Sequence, residues 1–230
     1  MNNFKDIYVK KPWGYEYLLY ENENAALWML YISKNESTSL HSHPKKTTGL
    51  ILLNGEAQID FINDSKKISA PKKEMFRRGL FHKTTSLSED GIFVLEIETP
   101  NEKNDLVRLN DSYGRSKKGY ENSKNFYNRD DDMLWINEEE IIENEEFIYK
   151  TVKFYVYKLN NINDLYLFED DEIIMFLKGG LYKIIDDKKV FITVPGDIGV
   201  NNIVKKVAKN MDSFSENTMV LTLNRKSNEN

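Results

Sequence analysis

The apolar residues of this chain fall in short runs broken by turn-forming residues, with no sustained helical period. Between residues 25 and 99 the runs AALWMLYIS, GLILLNG, EAQIDFIN and GIFVLEIET read as β-strands. Asn54-Gly55 and Asn63-Asp64-Ser65 mark turns between them. In GIFVLEIET, Ile92, Val94 and Glu96 alternate with Phe93, Leu95 and Ile97, the pattern of a strand between a core and a half-open face. Regularly spaced strands of this kind predict an all-β sandwich or barrel.

Residues 100 to 135 are rich in Asn, Asp, Ser, Tyr and Lys and poor in aliphatics, and read as a long connection. Within it NDLVRL is a candidate extra strand and DSYGR a turn. The glutamate-rich INEEEIIENEEF, with Ile136, Ile141, Ile142 and Phe147 as its apolar positions and Asn137 as N-cap, predicts a short acidic surface helix. Strand-like segments resume at TVKFYVYKL and run to TMVLTLNR.

Sliding one half over the other shows an internal match. At an offset of 124 residues LLNGEAQIDFINDSKKISAP lies on FLKGGLYKIIDDKKVFITVP without a gap, so that Gly55 meets Gly179, Ile68 meets Ile192 and Pro71 meets Pro195. Glycine and proline punctuation at one spacing, with apolar runs between, implies two similar hairpins and a duplication.

Composition narrows the function. A chain of 230 residues suits one large all-β domain or two small ones. A net charge of −5 and a pI near 5.4 argue against a nucleic-acid surface, which needs a basic patch. No apolar run approaches the ~20 residues of a membrane helix, and MNNFKDIYVKK lacks the apolar segment of a signal peptide, so a cytoplasmic protein without membrane partners is expected. The absence of cysteine removes disulfides, thiolate zinc sites, iron–sulfur clusters and cysteine nucleophiles together. Any metal must be held by His, Asp or Glu.

The chain has three histidines. His41 and His43, in LHSHPKKTTG, point to one face if that stretch is a strand, about 6 to 7 Å apart along it. An HxH pair alone carries little weight, because most such pairs sit in surface turns. His82, in FRRGLFHKTTS, decides the matter: if its strand pairs near the first, three neutral imidazoles share one face, a donor set suited to Fe, Mn, Ni, Cu or Zn.

In these residues the chain resembles the cupin family. Asn35, His41, His43, Thr48 and Gly55 stand at the spacing of that family's first motif, and Arg77, Gly79, His82 and Ser86 at the spacing of its second. The resemblance implies double-stranded β-helix (jelly-roll) domains and one divalent metal ion on the three histidines. Thr48 stands where the family's carboxylate ligand is expected, which leaves a three-histidine site or a substitute such as Glu56 or Glu74. At the 124-residue offset the histidines fall on Leu165, Leu167 and Lys206, and Thr48 on Glu172, so the second half resembles a cupin without a metal site. The phrase KPWGYE, Lys11 to Glu16, resembles small cupins similar to type II mannose-6-phosphate isomerases and cupins of surface-sugar biosynthesis.

The expected organisation is a metal-binding cupin domain over 1–110, a polar connection with the short helix over 111–150, and a degenerate cupin domain over 151–230. The resemblance implies a metal-dependent isomerase or epimerase acting on a small anionic, sugar-phosphate-like substrate, in polysaccharide or nucleotide-sugar biosynthesis. Such a reaction needs a base within hydrogen-bond reach. Glu16 and Glu56 are the carboxylates favoured for that role, with Glu96 and Glu98 also near strands, and Tyr15 or Tyr17 as acid. Lys11, Lys45, Lys46, Arg77 and Arg78, beside the motifs, are the expected anion-binding residues. A three-histidine iron dioxygenase and a non-catalytic sugar-binding protein are the alternatives. Open sheet edges, which proteins usually cover, suggest a homodimer.

Overall fold

The computed structural model describes residues 4–115, 119–121, 123–141, 144–149 and 152–224. The chain divides into two compact units, Met1–Ile136 and Asn137–Asn230. Among the described residues no helix is long and apolar enough to cross a membrane.

The first unit contains β1 (Ile7–Lys11), β2 (Gly14–Glu21), β3 (Ala26–Ile32), β4 (Leu40–Ser42), β5 (Thr47–Leu52), β6 (Glu56–Asp60), β7 (Ser65–Ser69), β8 (Lys72–Phe76), β9 (Lys83–Ser86), β10 (Ile92–Thr99), β11 (Val107–Asn110) and β12 (Phe126–Asn128). One sheet has the order β12-β1-β2-β3-β10-β5-β8, and a second has the order β7-β6-β9. β4 pairs with β11 and joins the second layer through a bridge between His41 and His82. From β3 to β10 the chain therefore passes back and forth between two antiparallel layers, which is the winding of a double-stranded β-helix. The alternation seen in the sequence explains the core. Leu30 and Ile32 of β3, Leu50 and Leu52 of β5, and Ile92 and Val94 of β10 meet Ala57, Ile59 and Ile68 of the other layer in one buried cluster.

The polar stretch after β10 belongs with this unit. NDLVRL supplies β11, DSYGR forms a turn, β12 adds an edge strand beside β1, and Met133 and Ile136 are buried.

The second unit contains β13 (Asn144–Tyr149), β14 (Val152–Leu159), β15 (Ile173–Lys178), β16 (Leu181–Ile185), β17 (Lys188–Phe191), β18 (Ile198–Val200), α1 (Asn201–Ala208), β19 (Ser213–Phe214) and β20 (Thr218–Leu223). Its sheets run β13-β14-β20-β15-β18 and β17-β16-β19. β14, β15, β18 and β20 thus stand in the order of β3, β5, β8 and β10, and β16, β17 and β19 in that of β6, β7 and β9. A 3-10 turn at Ile162–Leu167 takes the place of β4. Phe176, Leu181, Phe214 and Val220 lie in its own buried cluster.

The acidic stretch is not a helix where it is described. Asn137 caps a turn, its Oδ1 accepting from the Glu139 amide at 3.3 Å, and Asn144–Tyr149 is strand β13. Residues 142 and 143 of the expected helix lie outside the described residues. The sheet wins for a physical reason: β13 pairs with β14 from Asn144–Tyr157 to Tyr149–Val152, and buried Phe147 and Tyr149 flank exposed Ile148. That period of two suits a half-buried strand and defeats the weak helical preference of the glutamates.

Candidate metal centre

The histidines converge because two backbone segments exchange hydrogen bonds at them. The His41 amide donates to the His82 carbonyl at 3.0 Å, and the His82 amide returns a bond to the His41 carbonyl at 2.8 Å. Gly79, at φ +74°, turns the chain just before His82. Asn35 holds the matching turn before His41 at φ +59°, a conformation asparagine tolerates where most residues do not.

One ring nitrogen from each of His41, His43 and His82 lies within 4.8 Å of the others. All three rings are buried, and their centroids are 4.6 to 5.6 Å apart. Each Nδ1 faces a backbone carbonyl: Ser39 at 2.7 Å for His41, Asp105 at 2.6 Å for His43, Leu80 at 3.0 Å for His82. A carbonyl can only accept, so each Nδ1 carries the proton and each Nε2 keeps its lone pair. Nε2 of His43 and of His82 is buried with no partner among the described residues. Buried acceptors are rarely left without a partner, and three neutral imidazoles with free Nε2 lone pairs fit a divalent metal ion. Burial, together with neighbouring cationic groups, lowers the histidine pKa values, to about 4 for His43, about 3 for His82 and well below the usual range for His41. Phe76 stacks flat on the His82 ring, with centroids 3.9 Å apart, and fixes its plane.

His41 and His43 open on a cavity of about 60 Å³ that is rich in buried charge. Its cations are Lys11, Lys46, Lys103, Arg108 and Arg115, and its carboxylates Glu16, Glu96 and Glu98. Lys46 Nζ lies 2.7 Å from Glu98 Oε1. Lys103 bridges Glu16 at 3.0 Å and Glu98 at 3.7 Å, with its ammonium 3.3 Å from the centre of the Trp28 ring. Glu16 also pairs with Lys11 at 3.4 Å and accepts a hydrogen bond from Tyr120. Although burial pushes the Glu16 pKa up, Lys103, Lys11 and Tyr120 together hold it down at about 2. Lys11 is lowered to about 8 by burial, partly offset by Glu16.

Of the residues singled out in the sequence, the fold brings Lys11, Glu16 and Lys46 to the cavity of His41 and His43. Tyr15 lies instead in an aromatic row with Tyr8 and Tyr31, and Glu56 is exposed at the start of β6, accepting from Ser69 Oγ at 3.2 Å. Lys45 is exposed and pairs with Glu102 at 3.0 Å, and Arg77 and Arg78 are exposed in the turn before His82. Glu74 is paired with Lys66. Thr48 is buried opposite Glu98 on the neighbouring strand, and its Oγ1 has no partner among the described residues. Lys103, Arg108, Arg115 and Tyr120 were not marked as site residues by sequence reasoning. Their only signal was charge and tyrosine in an aliphatic-poor connection, which usually means a solvated loop.

The strand order establishes a double-stranded β-helix, the cupin fold class, and the first unit encloses a buried three-histidine group. No protein-family model matches the chain, and no curated protein matches it. Among solved structures it is similar to a conserved protein with a double-stranded β-helix domain from Klebsiella pneumoniae, at 12% identity over 42% of this chain and 84% of that one, with a TM-score of 0.38. It is similar to KdgF from Halomonas sp. at 10% identity over 44% of this chain and 94% of that one, with a TM-score of 0.39. It is also similar to the capsular polysaccharide assembling protein CapF from Staphylococcus aureus, at 16% identity over 45% of this chain and 32% of that one, with a TM-score of 0.39.

Proposed function

We propose that the first unit is the metal-dependent half of a tandem cupin and acts on a small anionic, sugar-phosphate-like substrate in an isomerase or epimerase reaction. The observation that carries this reading is the set of three buried imidazoles, each with Nδ1 tied to a carbonyl, with Nε2 of His43 and His82 left without a partner among the described residues. A divalent ion bound there, of iron, manganese, nickel, copper or zinc, supplies polarisation of a substrate oxygen. The chain's own residues supply the rest. Five cationic side chains line the cavity with Glu16, Glu96 and Glu98, and Asp111 and Glu121 pair with Arg115, Arg108 and Lys11 beside it, so an anionic ligand would bind by taking over contacts these carboxylates now make. In this reading Lys11 would hold that ligand, while Trp13 and Leu30 restrict water.

Metal analysis of the purified protein beside His41→Ala and His82→Ala tests this reading. Bound metal should fall at least tenfold in both variants, and full occupancy in both would overturn the site. The absence of a carboxylate from the three-histidine group favours a second reading, a three-histidine iron dioxygenase. Oxygen uptake by the iron-loaded protein in air separates the two, because an isomerase consumes none. The same reading takes the second unit as a degenerate copy and the assembly as a homodimer, since edge strand β17 is exposed along its whole length.

A further inference from the structure

We propose that Glu96 is the residue that carries the proton in this cavity, taking it from a substrate carbon beside a carbonyl and returning it to the neighbouring carbon. The inference rests on the isomerase reading above and names the group that would perform the transfer.

Geometry selects Glu96 from the cavity's three carboxylates. Glu16 is held by Lys103, Lys11 and Tyr120, and Glu98 by Lys46 and Lys103, so both are committed as ion-pair partners. Glu96 lines the same cavity, on the central strand β10, yet among the described residues it makes no hydrogen bond and no ion pair. It is two residues from Glu98 on the same face of the strand, which places its carboxylate between the apolar floor of the barrel, at Val94, and the charged rim. A carboxylate left unpaired while its neighbours share three cations is free to accept and release a proton. Burial raises its pKa and the charge of Glu98 raises it further, with Glu16 adding to this and Lys103 and Lys46 opposing, to about 7.

The proton balance closes without a co-reactant. The C–H bond breaks and its proton passes to a Glu96 oxygen, while the electron pair enters the C=C bond of an enediol. Glu96, whose proton exchanges with solvent in the open cavity, then delivers a proton to the adjacent carbon, and the hydroxyl proton passes to the former carbonyl oxygen. Nothing is oxidised or reduced overall.

The test is deuterium exchange in heavy water, using hexose 6-phosphates and pentose 5-phosphates as probes and the metal-loaded full chain. It is run beside Glu96→Gln, Glu96→Asp and carbon-13 NMR titration of glutamate-labelled protein. Glu96→Gln should lose exchange by about 10²- to 10⁴-fold, with metal content and probe affinity unchanged, and Glu96→Asp should recover part of it. The NMR resonance lost in Glu96→Gln should titrate well above those of the exposed glutamates. Retained exchange in Glu96→Gln, or titration of Glu96 together with the exposed glutamates, overturns the role of Glu96 while leaving the isomerase reading intact. No exchange of any probe by metal-loaded wild-type protein overturns both.

Discussion

Each ligand imidazole is an orientation problem solved by one carbonyl. Ser39, Asp105 and Leu80 hold the three Nδ1–H groups, and this both directs the Nε2 lone pairs and keeps the rings neutral. The cost appears in the pH dependence of stability. An unfolded histidine takes up a proton below about pH 6.5, whereas in the folded protein His41, His43 and His82 all resist protonation, His43 down to about 4, His82 to about 3 and His41 well below the usual range. Between those limits the unfolded state binds more protons, so stability is full above pH 6.5 and falls as the pH drops. Glu96 works in the opposite sense, because its raised pKa lets the folded state hold a proton that the unfolded state has released. Metal-free protein should therefore lose urea resistance from pH 6.5 to 5, with a slope near two protons, about 1.4 kcal/mol per pH unit for each. In Glu96→Gln the slope should steepen toward three protons. A flat midpoint over this range would show that the rings are hydrated and not the buried neutral set described.

At the scale of elements, β10 explains both barrel and site. Its inner face runs Ile92, Val94, Glu96, Glu98, so one strand passes from core to cavity without a break. That change from apolar to charged residues was visible in GIFVLEIET. So were the hairpins, because Gly55 and Gly179 occupy the same left-handed conformation, at φ +70° and +64°. In both hairpins the following amide, of Glu56 or Gly180, donates to a serine hydroxyl, of Ser88 or Ser215. A Cβ would lie 2.3 Å from Ser88 Oγ at Gly55 and 2.4 Å from Thr218 Oγ1 at Gly179, whereas at Gly114, φ +74°, it meets nothing within 4 Å. Gly114→Ala should accordingly cost only the left-handed penalty, about 1–2 kcal/mol. Gly55→Ala and Gly179→Ala should each cost more than Gly114→Ala in urea unfolding, and equal costs at all three positions would remove the crowding argument. What stayed illegible was long-range. Lys103, Arg108, Arg115 and Tyr120 sit in a stretch whose composition reads as solvated loop, and only its return over the barrel mouth buries them. The acidic stretch misled for a related reason: its glutamates suggest a helix face, but pairing with β14 decides the conformation.

Across the whole molecule the two units differ at matched positions. The first has three histidines and Thr48, whereas the second has buried Glu172 at the position matching Thr48 and none of the imidazoles. The second unit also lacks a backbone that could present them. Leu165 and Leu167 lie in a 3-10 turn, and Lys206 lies on α1, which is anchored by buried Asn201 donating to the Leu165, Phe168 and Glu169 carbonyls at 2.9 to 3.1 Å. Strand pairing is what brings His82 to His41 in the first unit, and a helix in its place cannot make that exchange of hydrogen bonds. Every candidate ligand and every residue lining the charged cavity falls within Met1–Ile136. A chain ending at Ile136 should therefore bind one metal ion with the affinity of the full protein, measured by titration with zinc, while Asn137–Asn230 should bind none with comparable affinity. A first unit that keeps its β-sheet circular dichroism yet fails to bind zinc would show that the centre needs residues from the second.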